Sequence, residues 1–212
     1  MKSGDESNLS EFRTSSALCK GAFDVVALAA SAGGLRALSE ILTVLPGDFL
    51  AAIVIVQHLD PRHRSLMADI LSRRTALKVR EAQEGARLSP GTACIAPSNR
   101  HLLVNADGTL SLTQSELVHF VRPSADLLFE SVAASYKERA IAVVLSGTGS
   151  DGSMGVRAIK KMGGTVIVQD EKSSEFFGMP SAALQTGSVD FVLSLDEIPS
   201  ALLTLVSTGD VS

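Results

Sequence analysis

Short apolar runs that end in small-residue turns and lead into apolar residues at helical spacing constrain this chain more than any other feature. The first run, residues 23–30, meets the turn Ser31-Ala32-Gly33-Gly34, after which Leu35, Leu38, Ile41, Leu42 and Leu45 recur with helical period. That pattern predicts strand, turn and helix. A second run, residues 51–56, ends at Gln57-His58 and passes through Asp60-Pro61 into a stretch with Leu66, Met67, Ile70 and Leu71 on one helical face. Strands that are apolar at nearly every position must be covered on both faces, because a strand with one wet face alternates instead. The expected fold class is therefore α/β: a doubly wound, mostly parallel sheet with helices on both faces.

The middle of the chain departs from this rhythm. Short strand-like pieces fall between residues 79 and 114, and two of them, 102–104 and 110–112, flank Asp107-Gly108, a pair favoured in tight hairpin turns. A small antiparallel hairpin, at an edge or as a flap, is expected there. The alternation then resumes with a helix over 124–136, a strand over 141–145, a glycine-rich turn, a helix to Met162 and a strand over 165–169. Shorter elements near 182–184 and 191–193 and a last helix around 199–206 follow. Residues 1–21, rich in serine and charge with no apolar period, are expected to form a flexible tail, leaving 22–212 as one domain without internal repeats.

Composition removes several function classes. A net charge of −4 offers no field to collect phosphates, so nucleic acid is not an expected partner. The cysteines Cys19 and Cys94 sit in no zinc-binding or disulfide-scaffold spacing. The longest apolar run, residues 49–56, is far shorter than the roughly 20 residues needed to cross a bilayer. Asp5, Glu6 and Glu11 replace the basic start of a signal peptide, so the expected location is the cytoplasm, without membrane insertion.

Ligands of an open parallel sheet gather at the carboxyl ends of its strands. Those ends supply Ser31, His58 and the turn Ser146-Gly147-Thr148-Gly149-Ser150-Asp151-Gly152. A hydroxyl, an imidazole and a carboxylate from three strand ends are the parts of a nucleophilic hydrolase, in which the base takes the serine proton and the acid holds the base's tautomer. Each also has a plainer role: Ser31 and Asp151 as helix caps or turn residues, His58 as a surface histidine closing a strand. The nucleophile elbow G-x-S-x-G is not matched, since Ala29 occupies its first glycine position and the order runs Ser, His, Asp. The small residues Ala30, Ala32, Gly33 and Gly34 nevertheless allow close approach, and a helix start behind Ser31 offers N–H groups to an oxyanion.

The segments Ala29-Ala30-Ser31-Ala32-Gly33-Gly34, Gln57-His58, Arg122-Pro123-Ser124-Ala125-Asp126, Ser146 through Gly152, Gln169-Asp170-Glu171 and Gly178-Met179-Pro180 together resemble the catalytic domain of CheB-type protein-glutamate methylesterases. The likeness runs from about Val25 to Leu195. It implies a cytoplasmic serine hydrolase without a cofactor or metal that demethylates glutamate methyl esters on the cytoplasmic helices of chemoreceptors and deamidates certain glutamines. By motif match, Ser31 is the nucleophile, His58 the general base and Asp151 the residue that orients the imidazole, with Ala32, Gly33, Thr148 and Gly149 as substrate-binding or oxyanion positions. The family pattern usually reads Gly-Ala-Ser-Thr-Gly-Gly and Thr-Gly-Met-Gly; this chain has Ala29, Ala32, Ser146 and Thr148 where those differ. The segment before Phe23 is too short for the receiver domain that members commonly carry. The resemblance therefore leads to the expectation of an effector domain not gated by its own phosphorylation, and open or controlled by a signalling protein in trans.

Arg62, His63, Arg64, Arg73 and Arg74 read as a solvated helix face or as a basic rim for an acidic receptor helix. His58, Asp60 and His63 suggest a metal set that Arg62 and Arg64 oppose. Two further readings stay open: a nucleotide-binding signalling module using residues 31–34, which lacks both G-x-G-x-x-G and the P-loop lysine, and a catalytically weak or inactive adaptor.

Overall fold

The computed structural model describes residues 22–58, 65–118 and 120–208. The expected tail, and Asp60, Arg62, His63 and Arg64, lie outside the described residues. Element order is β1 (Val25–Ala30), α1 (Gly34–Val44), β2 (Ala52–Gln57), α2 (Met67–Ser72), β3 (Lys78–Glu81), β4 (Thr92–Ile95), β5 (His101–Val104), β6 (Leu110–Thr113) and α3 (Ala125–Tyr136). Then come β7 (Ala140–Val144), α4 (Ser153–Lys161), β8 (Thr165–Gln169), α5 (Gly178–Leu184), β9 (Phe191–Leu193) and α6 (Ile198–Thr208).

Seven strands form one sheet in the order β3-β4-β2-β1-β7-β8-β9, and every pair in it is parallel. All residues of β1, β2 and β7 are buried, which is why their sequences carry no polar alternation. Val26, Leu28 and Ala30 of β1 face a core shared with α1, α2 and α6. Val25, Ala27 and Ala29 face the opposite core, with α3, α4 and α5. The sheet is doubly wound as expected.

The antiparallel element is smaller than the irregular middle of the sequence suggests. β3 and β4 join the main sheet in parallel, with Lys78 opposite Thr92 and Glu81 opposite Ile95. β3 is polar because it forms an edge, where charged side chains discourage pairing with another chain. Among the strands of the described residues, only β5 and β6 pair antiparallel, forming a separate two-stranded sheet around Asp107-Gly108. That hairpin is fastened to α3, because Val104 N donates to Ser131 Oγ (3.0 Å) and Ser135 Oγ donates to Val104 O (2.9 Å). Two apolar positions assigned to helical faces are solvent-exposed: Leu66, 60% exposed, precedes α2, and Leu35 opens onto a cleft at the start of α1.

The chain runs outward from β1 through β2 to one edge, then returns on the other side of β1 with β7 and runs to the opposite edge. The crevice above β1 and β7 is therefore the topological switch point, where ligands of such sheets bind.

Candidate active site

Ser31 follows β1, and its backbone is tied to both neighbouring strand ends. Its N–H donates to Ser146 O (3.0 Å), while its carbonyl accepts from Gly34 N (2.9 Å) and from Gln57 Nε2 (2.7 Å). Gly147 lets the β7 loop run against this turn, since a Cβ there would lie 2.9 Å from Ser31 Cβ and collide with Met179. Ser31 does not cap α1: the N-cap is Gly33, in the left-handed region at φ 78°, and no side chain accepts there. The plainer reading of Ser31 is thereby removed.

His58 and Asp151 meet. His58 Nε2 lies 2.8 Å from Asp151 Oδ2, with side chains only 13% and 3% exposed. Asp151 also accepts from Ser124 Oγ (2.8 Å), Ala125 N (2.6 Å) and Asp126 N (3.1 Å). Asp151 is thus a cap as well as a partner of His58, but it caps the distant α3 rather than the adjacent α4. Burial opposes its ionisation, yet the hydrogen bonds from His58, the Ala125 amide and Ser124 prevail and hold its carboxyl below the usual 3.8. The positive end of the α3 dipole acts in the same direction. An ionised carboxylate only accepts, so His58 Nε2 carries the proton in this pair.

Behind the pair stands His101, fully buried. Its Nδ1 accepts from Ser124 N (3.1 Å) and its Nε2 faces Glu116 O (3.0 Å), an arrangement that only the neutral ring with a proton on Nε2 satisfies. Burial foremost, with the Arg122 charge, pushes this imidazole below the usual 6.5 against the Glu116 hydrogen bond and the Asp151 charge. The unfolded chain takes up a proton near 6.5 whereas the fold resists it, so stability is complete above 6.5 and falls as the pH drops toward the lower folded value. Urea unfolding midpoints should therefore decrease below pH 6.5, and His101→Gln should flatten the curve in that window. Equal slopes in both proteins would assign the effect to other groups. Asp151 contributes lower on the scale, its stabilisation being lost as the pH falls from 3.8 through its depressed value.

Ser31, His58, Phe120, Val121, Thr148, Gly149, Ser150 and Asp151 line one crevice of about 370 Å³. A neighbouring cleft of about 580 Å³ also touches Ser31 and is lined by Gly33, Gly34, Leu35, Gln57, Arg74 and Glu175, among others. Thus His58 and Asp151 are in contact, Ser31 lines the same crevice with Thr148 and Gly149, and Gly33 lies on the adjoining one. Ala32 enters through its carbonyl, which accepts from Ser146 Oγ (2.8 Å). Of the residues read as a basic rim, Arg74 lines the second cleft, alongside Arg36.

The sequence reading missed several contributors. Ser124 and Gln57 stood in segments that carry the resemblance but had no role assigned to them; Ser124 donates to Asp151, and Gln57 bridges two carbonyls. Phe120 had no signal at all. It is 94% exposed with φ 65°, at the tip of a turn closed by mutual backbone bonds between Val118 and Val121 (3.2 and 2.9 Å). Arg122 fastens this turn, donating to Asn99 Oδ1 (2.9 and 2.7 Å), Gln114 O (3.0 Å) and Ser115 O (2.6 Å). Among the described residues no three His, Cys, Asp or Glu side chains cluster as for a metal, and no helix is long and apolar enough to cross a membrane.

A family model described as CheB methylesterase matches residues 26–202. A protein-glutamate methylesterase/protein-glutamine glutaminase of Moorella thermoacetica is 43% identical over 188 residues, which cover 87% of this chain and 44% of the relative. A putative protein of the same description from Leptospira interrogans is 39% identical over 183 residues, covering 86% of this chain and 95% of the relative. Among solved structures, the CheB methylesterase catalytic domain of Thermotoga maritima superposes with a TM-score of 0.84 at 38% identity, covering 87% of this chain and 99% of that one.

Proposed function

The chain belongs to the CheB methylesterase family, and from that premise we propose that it hydrolyses glutamate methyl esters on the cytoplasmic helices of chemoreceptors, with deamidation of glutamines as a second activity. The observation that carries this reading is the meeting of Ser31, His58 and Asp151 at one crevice, with the imidazole held by a buried carboxylate. The chain spans less than half of the Moorella relative, so the activity is argued from these residues rather than transferred from the longer protein.

In the proposed mechanism Ser31 Oγ attacks the ester carbonyl carbon. Its proton passes to His58 Nδ1, because Nε2 is committed to Asp151. Charge developing on the carbonyl oxygen faces N–H groups at the start of α1 and in the Thr148-Gly149 turn. Collapse of the tetrahedral species breaks the bond to the methoxy group, and His58 returns the proton to give methanol. Water then attacks the acyl-enzyme with the same imidazole as base, releasing glutamate and restoring Ser31. With glutamine the leaving group is ammonia, poorer than methanol, so proton donation by His58 weighs more.

The nucleotide reading loses its support at the glycine turn. A Cβ on Gly33 would meet Ser146 Oγ at 2.7 Å and the Glu175 carboxylate at 3.1 Å, so the turn is packed against side chains, one of them anionic. Phosphate would be repelled there.

The decisive measurement is methanol release from methylated receptor preparations by the purified chain. Catalytic release is expected, and its absence with correctly folded protein would overturn the proposal.

A further inference from the structure

We propose that Gln57 is a positioning residue that sets the separation of Ser31 and His58, an inference that rests on the serine-hydrolase reading above. Gln57 closes β2 opposite Ala30 and is 4% exposed. Its Nε2 donates to two carbonyls at once, Ser31 O at 2.7 Å and His58 O at 3.0 Å. One belongs to the residue bearing the hydroxyl and the other to the residue bearing the imidazole. A single amide nitrogen therefore spans the ends of two strands and joins the two reacting groups through their backbones.

The orientation of this amide follows from its partners. Both are acceptors, so a reversed amide would set its oxygen against two carbonyl oxygens. The oxygen Oε1 must therefore point away, toward Gly34, where it is buried with no hydrogen-bond partner among the described residues. A glutamate at this position would bring only acceptors at neutral pH, and an aliphatic side chain would bring none of the donors.

Two features count as costs of this arrangement. A buried unpaired acceptor opposes folding. Position 34 is also restricted to glycine, since a Cβ there would collide with Gln57 Oε1 and lie 2.7 Å from Ala30 Cβ. An apolar residue, as elsewhere in β2, would relieve the first, while Ala30 Cβ would still confine position 34. A buried amide whose donor serves the carbonyls of these two residues while its acceptor stays unpaired is the pattern of a residue held for what it positions.

The test uses the intact chain and the rate at which a fluorophosphonate labels Ser31, alongside the urea midpoint. Gln57→Met keeps side-chain length and removes both hydrogen bonds. The maximal labelling rate should fall about 10–100-fold, the scale expected when a reacting group is misplaced by about 1 Å. The half-saturating probe concentration and the pH midpoint of labelling should hold, because the His58–Asp151 pair is untouched, and the urea midpoint should fall only modestly, as expected for two lost hydrogen bonds, with the chain still folded. Gln57→Asn, an amide one methylene shorter, should show a smaller loss of maximal rate and decides the matter if the methionine variant does not fold. Maximal rates within about twofold of the parent, or losses matched by loss of folded protein, would overturn the role of Gln57 alone, being far short of the positioning effect. No labelling of the parent chain would overturn the hydrolase reading, and this role with it.

Discussion

Replacing Ser31 with alanine is expected to remove ester hydrolysis, lowering kcat by about 10⁴–10⁶-fold, the loss typical of deleting a catalytic serine. The fold should persist. Ser31 is held by backbone bonds to Ser146, Gly34 and Gln57, all of which alanine retains, and its side chain caps no helix. Near-parental unfolding midpoints together with lost methanol release would separate chemistry from structure. Turnover retained above a few per cent of the parental rate would sink the assignment of the nucleophile, since no other route to an acyl-enzyme is proposed.

The second large effect is expected from Asp151→Asn, and it should strike both activity and stability. Every partner of this carboxylate donates a hydrogen bond: His58 Nε2, Ser124 Oγ, Ala125 N and Asp126 N. An asparagine must turn its NH₂ toward one of them. If it faces His58, the ring has to accept at Nε2 and carry its proton on Nδ1, the atom assigned to take the proton of Ser31. The wrong tautomer of a triad histidine costs about 10⁴-fold in kcat. If the NH₂ faces α3 instead, a buried donor meets a buried donor, at a cost of about 1–3 kcal/mol. Kinetics and urea unfolding on the same preparation measure both, and kcat within about tenfold of the parent would overturn the role assigned to Asp151, given the loss a wrong tautomer brings.

What could be read in the sequence was what depends on neighbours along the chain. β1, β2, β7 and β8 announced themselves because strands covered on both faces are apolar at nearly every position, and Asp107-Gly108 marked its hairpin because the turn chemistry is local. The strand ends then pointed to Ser31, His58 and Asp151. β3 went unread as a member of the main sheet, because an edge strand spends its residues on charge: Lys78, Arg80 and Glu81. The support of the site stayed hidden for a different reason. Ser124 reaches Asp151 across 27 positions, His101 reaches Ser124 across 23, and Gln57 reaches Ser31 across 26. No spacing rule connects residues so far apart; only the winding of the sheet brings them together.

β2, β1 and β7 are consecutive in the sheet, and adjacent strands stand about 4.8 Å apart. His58, Ser31 and the turn that carries Asp151 therefore hang from three neighbouring rails whose gauge is set by the backbone ladder itself. The ladder fixes the strand spacing, and within it the Gln57 amide bonds the turns that follow β1 and β2. Variation in what the crevice accepts is then expected in the Phe120 turn and the 148–150 loop, which line it from outside the sheet, and not in the buried strands beneath.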